Sequence, residues 1–251
     1  MAFLTGIQLF PIKALDPLAV NSAQILRSGA LKHDRAFAIL DSEANFVNGK
    51  RHAAVHGLRS DFNLETGRLT LSSEKFPAQS FALPEEKSAL AGLLSNYFGF
   101  LVSVAHDAAR GFPDDTDASG PTVISTATLE CVASWFPGLT AENVRRRFRA
   151  NLEIGGVPAF WEDRLFAAPG EAVRFRIGEV LIEGVNPCQR CVVPTRDPDS
   201  AQQNAEFQKV FIERRKAALP AWAQASRFNH FYRLAINSRV PETEAGKELR
   251  V

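Results

Sequence analysis

Cys188-Gln189-Arg190-Cys191 sets two thiols three positions apart, inside the segment Asn186-Pro187-Cys188-Gln189-Arg190-Cys191-Val192-Val193-Pro194-Thr195-Arg196-Asp197-Pro198. The chain has three cysteines, so two in one motif point to a shared chemical role. Thiolate is a soft ligand suited to zinc, copper, iron–sulfur clusters or another thiophilic metal. A structural zinc site needs four ligands, usually with a second Cys or His pair. Here Cys131 stands alone, and His52 and His56 lie far upstream. A redox dithiol wants its first cysteine at a helix N-terminus, which lowers the thiol pKa. Val192-Val193-Pro194 favours extension instead. Simple burial is the third reading, since free cysteine is among the most buried residue types.

The neighbours shift that balance. Arg145-Arg146-Arg147-Phe148-Arg149-Ala150-Asn151 packs four arginines into five positions just before an apolar run. Guanidinium forks bind phosphate bidentately and keep their charge when partly desolvated. Arg145 and Arg146 read as a solvated helix face, whereas Arg147 and Arg149 sit at the helix–strand junction, where at least one turns inward. The formal net charge is +1 and there are only two tyrosines, so the basic, aromatic footprint of a nucleic-acid binder is missing. An anionic small molecule beside a soft sulfur fits better.

The elements that must position these groups are mostly strands. With 251 residues, 45% hydrophobic and 23% charged, the composition is that of an ordinary globular protein with room for one or two cored domains. Phe3–Ile12, Gln24–Leu26 and Ala36–Leu40 read as strands, and Asp61–Leu64 with Arg68–Leu71 as a hairpin across Glu65-Thr66-Gly67. A helix is expected from Pro84 to Phe98 with Gly99 as its C-cap, then a strand at Leu101–Ala105. Gly111–Gly120 is an acidic loop, read as linker or lid. Pro121–Ser125 reads as a strand entering a helix capped by Ser125 or Thr126. Thr140 caps a helix over Ala141–Phe148, and a strand follows at Asn151–Ile154. A hairpin of Val173–Ile177 and Val180–Ile182 leads to Cys188. Asp199 or Ser200 caps a helix bearing Phe207, Val210 and Phe211, and Phe231–Ile236 is the last strand before a polar tail. No run is long and apolar enough for a membrane span. The first residues lack a signal-peptide pattern, so a cytoplasmic location with reduced thiols is expected.

Phe148-Arg149-Ala150-Asn151, Trp161-Glu162-Asp163, Ile177-Gly178 and the Cys188–Pro198 segment together resemble the MOSC domain, named for the C-terminal domain of molybdenum cofactor sulfurase. Phe10-Pro11-Ile12-Lys13 and His33-Asp34-Arg35-Ala36-Phe37 resemble the N-terminal β-barrel domain that precedes it in many members. The resemblance covers nearly the whole chain in the expected order. It implies a mainly β protein with peripheral helices (α+β): a smaller N-terminal β domain over 1–105, a linker at 106–120 and a MOSC β-barrel over 121–251.

The resemblance also implies molybdenum–molybdopterin (Moco) bound between the halves, with Cys191 as the metal ligand and catalytic centre, as in amidoxime-reducing members. Phosphate and pterin contacts then fall on Lys13, Arg35, Ser125, Arg147, Arg149 and Asn151. Cys188 is left as a hydrogen-bonding, packing or sulfur-handling thiol beside the cofactor. Pyridoxal phosphate binding comes with the family as a further attribute. The plainer readings are a strand-end or Asp34-paired role for Lys13 and Arg35, helix capping for Ser125, and ion pairing of Glu162 and Asp163 with Arg164 or Arg149. Ala14, Ala150 and Asn229-His230-Phe231 depart from the family pattern. The implied function is reduction of N-hydroxylated or N-oxide small molecules, with cofactor carriage or persulfide transfer as the alternative. Three cysteines cannot also ligate a [2Fe–2S] cluster and no flavin motif is present. Electrons are therefore expected from a separate partner: a ferredoxin, a cytochrome b5-like protein or a flavin reductase.

Overall fold

In the computed structural model, which describes all 251 residues, the chain begins with strands β1 (Phe3–Leu9), β2 (Leu18–Val20), β3 (Ser22–Gln24) and β4 (Phe37–Asp41). A three-stranded meander follows: β5 (Arg59–Asn63), β6 (Arg68–Ser73) and β7 (Phe76–Ala82). Helix α1 (Lys87–Phe98) ends at Gly99, whose φ of 78° is the left-handed cap that glycine adopts without strain. Next come β8 (Val102–His106), β9 (Val123–Ser125), α2 (Thr126–Ser134), α3 (Ala141–Phe148) and β10 (Leu152–Gly155). The remainder is β11 (Val173–Ile177), β12 (Val180–Gln189), α4 (Phe207–Ala217), β13 (Arg233–Arg239) and β14 (Glu248–Arg250). The architecture is mainly β, as the sequence implies. No helix is long and apolar enough to cross a membrane.

Seven strands form one sheet in the order β11-β12-β13-β9-β10-β1-β2, antiparallel except for the parallel pair β9–β10. Parallel neighbours need a long crossover, and α2 with α3 supplies it. Strand alternation, interrupted in β13 by the left-handed Ala235 (φ 63°), then serves two cores. Val123, Leu152, Ile182 and Ile236 face one side with Ile7, Leu9 and Leu249. Ile124 and Leu234 face the other, against Leu129, Val144, Phe148, Phe207 and Phe211 of the helices. The first half keeps its own core, where α1 lays Leu90 and Leu94 against Leu69, Leu71, Val102 and Val104.

The two halves interlock. β1, from the N-terminus, pairs with β10 from Phe3↔Gly155 to Ile7↔Leu152 and so belongs to the second half's sheet. β14 lies in the polar tail, where no strand was expected, and pairs with β3. Both pairings are long-range, and nothing local in either segment announces them. Also unanticipated is β7, whose exposed Ala78, Gln79 and Ser80 break the apolar alternation. α4 starts at Phe207, and neither Asp199 nor Ser200 caps it. Asp197 instead gathers the Asp199 and Ser200 N–H groups (3.1 and 2.9 Å) into a turn.

β12 carries Cys188 and ends two residues before Cys191, and its seat is tight: a Cβ at Gly184 would lie 1.7 Å from the Leu165 carbonyl oxygen. Gly184→Ala should therefore displace β12 and destabilise the protein by about 3 kcal/mol in urea unfolding. Gly92→Ala, in open space on α1, should stabilise it by about 0.5–1 kcal/mol.

Candidate functional site

A cavity of about 1140 Å³ opens along the seam between the halves. Twelve Lys and Arg side chains line it against four Asp. On a chain of net charge +1, that concentration makes the cavity a receptor for anions.

One end is built from Lys13, Arg35 and Arg149, the two arginines over the ring of Phe10 and the lysine over that of Phe46. Lys13 follows β1 and is buried, with Nζ donating to the Phe112 carbonyl at 2.8 Å and the Asp114 carboxylate at 2.5 Å. Burial lowers its pKa, and Asp114 partly offsets this. Arg35 takes a left-handed φ of 51°, held by its N–H to the Phe10 carbonyl at 2.8 Å. Its guanidinium pairs with Asp34 and lies 5.1 Å from the Phe10 ring centre. Arg149 caps α3, also in the left-handed region at φ 55°, and brings its guanidinium to 4.2 Å from the same ring. Its one hydrogen bond goes to the Leu15 carbonyl at 2.7 Å. Burial, and then Arg35, push Arg149 down to about 10. A guanidinium this enclosed, with no carboxylate of its own, is short of negative charge.

Asn151 lines the same end, and its amide locks the backbone that carries Arg149. Oδ1 accepts from the Thr122 N–H (3.2 Å) and hydroxyl (3.1 Å), while Nδ2 donates to the Gln8 carbonyl at 3.0 Å. Ser125 is not brought to the cavity. It is fully buried, caps α2 by accepting from the Thr128 N–H at 3.2 Å, and meets the Thr128 hydroxyl at 2.7 Å. The expected cofactor contact there is corrected to a capping role, because the turn out of β9 aims the hydroxyl back into the helix. Thr122, three residues earlier, is the hydroxyl that lines the cavity.

The two thiols part company. Cys191 is exposed and lines the cavity, with Sγ accepting from the Val193 N–H at 3.5 Å. Cys188 is buried, its thiol donates to Asn237 Oδ1 at 2.8 Å, and burial raises it to about 11. It stays protonated and acts as a hydrogen-bonding core residue at the cavity wall. The loop after Cys191 is held by Arg147, which turns inward from α3 to donate to the Pro194 carbonyl (3.0 Å), the Arg196 carbonyl and Asp197 (3.0 Å). Burial works against the Asp197 charge, but the Ser200 and Asp199 N–H groups hold it down to about 2. From the first half, Arg59 donates to the Pro198 and Asp199 carbonyls at 2.9 and 2.6 Å. Arg147 thus lines the cavity, but its fork is spent on the Cys191 loop rather than on a ligand. Arg145 and Arg146 pair with Glu142, Glu153 and Asp199 on the surface.

Sequence reading missed several lining residues: Arg59, Asp114, Arg190, Arg196, Arg227 and Arg233. Arg190 and Arg196 lay inside the Cys188–Pro198 segment and Asp114 inside the acidic loop, whereas Arg59, Arg227 and Arg233 carried no signal. Asp114 reaches the Lys13–Arg35–Arg149 end from the acidic loop. Its side chain is open to solvent; the surrounding protein would raise its pKa, yet Arg35 and Lys13 pull it below the ordinary carboxylate value. It sits as a built-in counterion where an incoming anion would bind. Asp114→Asn should therefore raise affinity for inorganic phosphate about tenfold, ~1.4 kcal/mol, in calorimetric titration. Equal affinity would mean that the carboxylate does not compete.

Glu162 and Asp163 do not line the cavity. Neither pairs with Arg149 or Arg164. Asp163 binds Arg215 at 2.5 Å in the core, and Arg164 stacks on Trp222 instead. Glu162 accepts from the Thr128 hydroxyl at 3.0 Å, its other oxygen has no partner, and burial, then Asp163, raises it to about 7 from 4.5. A carboxyl whose folded pKa lies above its unfolded value favours the fold below pH 4.5 and loses that advantage as pH rises to 7. The stability gap between wild type and Glu162→Gln should therefore shift against wild type by about 2–3 kcal/mol across that window in pH-dependent urea melts.

Residues 1–112 match the family model for the MOSC N-terminal beta barrel domain, and residues 117–244 match that for the MOSC domain. No curated protein matches the chain. MOSC domains are found in molybdenum-cofactor-binding proteins. The cationic end, the exposed sulfur and the interlocked halves described above are thus carried by a chain that belongs to the MOSC family, with an N-terminal beta barrel domain followed by a MOSC domain.

Proposed function

We propose that this protein is a molybdenum-cofactor oxidoreductase that reduces N-hydroxylated or N-oxide small molecules. The observation that carries the reading is one exposed thiol, Cys191, on the wall of a cavity that also presents Lys13, Arg35 and Arg149. The donor set suits the group: a soft sulfur for the metal and an under-neutralised guanidinium, Arg149, for a phosphate. The size of the cavity, about 1140 Å³, is ample for a tricyclic pterin with its phosphate beside a small substrate.

On this reading Cys191 Sγ is the protein's metal ligand, and Lys13, Arg35 and Arg149 grip the phosphate from both halves. Arg147, with Arg59, orders the loop that presents Cys191. Asn151 fixes the backbone that delivers Arg149, and Cys188 stays a protonated wall residue. When bound, the cofactor supplies two-electron oxygen-atom chemistry, while the protein contributes binding, orientation and electrostatics. The net reaction takes up two electrons and two protons and releases water from an N-hydroxylated substrate. Three cysteines cannot hold an iron–sulfur cluster, so on this reading electrons reach the site from a redox centre outside these 251 residues. A sulfur relay through both cysteines is disfavoured by the burial of Cys188 and its hydrogen bond to Asn237.

The test is elemental analysis of the purified protein, with X-ray absorption at the molybdenum edge and turnover of benzamidoxime with a chemical reductant. Stoichiometric molybdenum, a sulfur shell smaller by one in Cys191→Ser, and turnover abolished in that variant are expected. Stoichiometric zinc without molybdenum would overturn the reading. Molybdenum without turnover would leave a cofactor carrier.

A further inference from the structure

The cavity lining holds a second pair of cations, Arg227 and Arg233, from outside the Lys13–Arg35–Arg149 group. Arg233 opens β13 and pairs in register with Gln189, two residues before Cys191. Its guanidinium donates to the Pro187 carbonyl at 3.0 Å and Asn229 Oδ1 at 2.8 Å, while Nε is buried without a partner. Arg227, at the end of the short turn Ala225–Arg227, makes one side-chain hydrogen bond, to the Val185 carbonyl at 3.2 Å. Neither arginine is paired with a carboxylate. Burial, and then the nearby Arg227, press on the charge of Arg233. Asp115 comes to this side of the cavity only as far as the Asn237 amide, at 3.4 Å.

Two adjacent, partly desolvated guanidinium groups repel each other unless something negative lies between them. Each offers five donors, of which Arg227 uses one and Arg233 two. Asn186, Asn229 and Ser226 surround them with further hydrogen-bonding groups. The Lys13–Arg35 group already has Asp114 and Asp34 as counterions. Here the chain provides none.

We propose that Arg227 and Arg233 form an acid-binding subsite, so that the substrate presented to Cys191 carries a carboxylate. As a statement of substrate class this rests on the reductase reading. As an anion site it stands on the geometry alone. A fork-to-fork carboxylate contact adds orientation as well as affinity, and would hold the reducible group at a fixed reach from the position 191 sulfur.

The experiment uses the full chain and two isosteric probes, benzoate and benzamide, titrated by calorimetry. Benzoate should bind wild type about tenfold more tightly than benzamide, ~1.4 kcal/mol. That preference should vanish in Arg227→Gln/Arg233→Gln and persist in Lys13→Gln. Arg227→Gln alone removes a single internal hydrogen bond and serves if the double variant does not fold. In turnover, 4-carboxybenzamidoxime should show a lower KM than benzamidoxime, and the advantage should be lost in the same variants at similar kcat. Equal binding of the two probes, or a preference that survives Arg227→Gln, would overturn the subsite. So would cytidine monophosphate outcompeting benzoate there, which would assign these arginines to a nucleotide extension of the cofactor. Benzamidoxime turnover without carboxylate preference sinks the subsite and leaves the reductase reading standing. A carboxylate preference without turnover does the reverse.

Discussion

Three cations share one pocket end, Arg35 and Arg149 over the ring of Phe10 and Lys13 over that of Phe46, and the rest of the molecule is arranged to keep them there. Lys13, Arg35 and Arg149 would separate in an unfolded chain, since like charges at short range in a poorly hydrated site repel by several kcal/mol. They stay together because each is fixed by backbone. Arg35 and Arg149 both sit in the left-handed region, and Lys13, four residues past the end of β1, is pinned by its N–H to the Phe37 carbonyl at 2.8 Å. The face of Phe10 supplies partial negative charge to both guanidinium groups, worth about 1–2 kcal/mol when desolvated.

That constraint explains the interlocking of the halves. If the seam were an ordinary interface between two separate domains, repulsion across it would favour opening. Instead β1 is a strand of the second half's sheet, and β3 is closed by the C-terminal β14. Arg59 adds a clamp from the first half onto the loop that follows Cys191. Charge at the seam is thus held in place by sheet hydrogen bonds, which salt does not screen, rather than by surface ion pairs, which it does.

The two cysteines show how similar residues acquire different chemistry from position alone. Cys188 lies in the last residues of β12 and points inward, whereas Cys191 lies two residues past the strand's end, where the chain has left the sheet, and is exposed. The inward thiol is desolvated and hydrogen-bonded. The outward one faces the cavity. Arg147 shows the complementary case: an arginine in a phosphate-binding pattern whose donors are taken by the loop it orders.

By itself the sequence determined the elements whose causes are local. Thr140 and the Ala141–Phe148 helix, the Gly99 cap, the hairpin across Glu65-Thr66-Gly67 and the strand into Ser125 all follow from caps, turns and periodicity spanning a few residues. The cysteine motif and the arginine cluster were legible for the same reason, because each is contiguous. Tertiary structure alone decided that Ser125 turns away, that Asp163 pairs with Arg215, and that Arg227 and Arg233 come to the cavity beside Cys191. Those outcomes depend on which distant segments share a sheet. Strand pairing across more than a hundred residues leaves no mark in any short window, because the hydrogen bonds that select it are made by backbone groups that every residue carries.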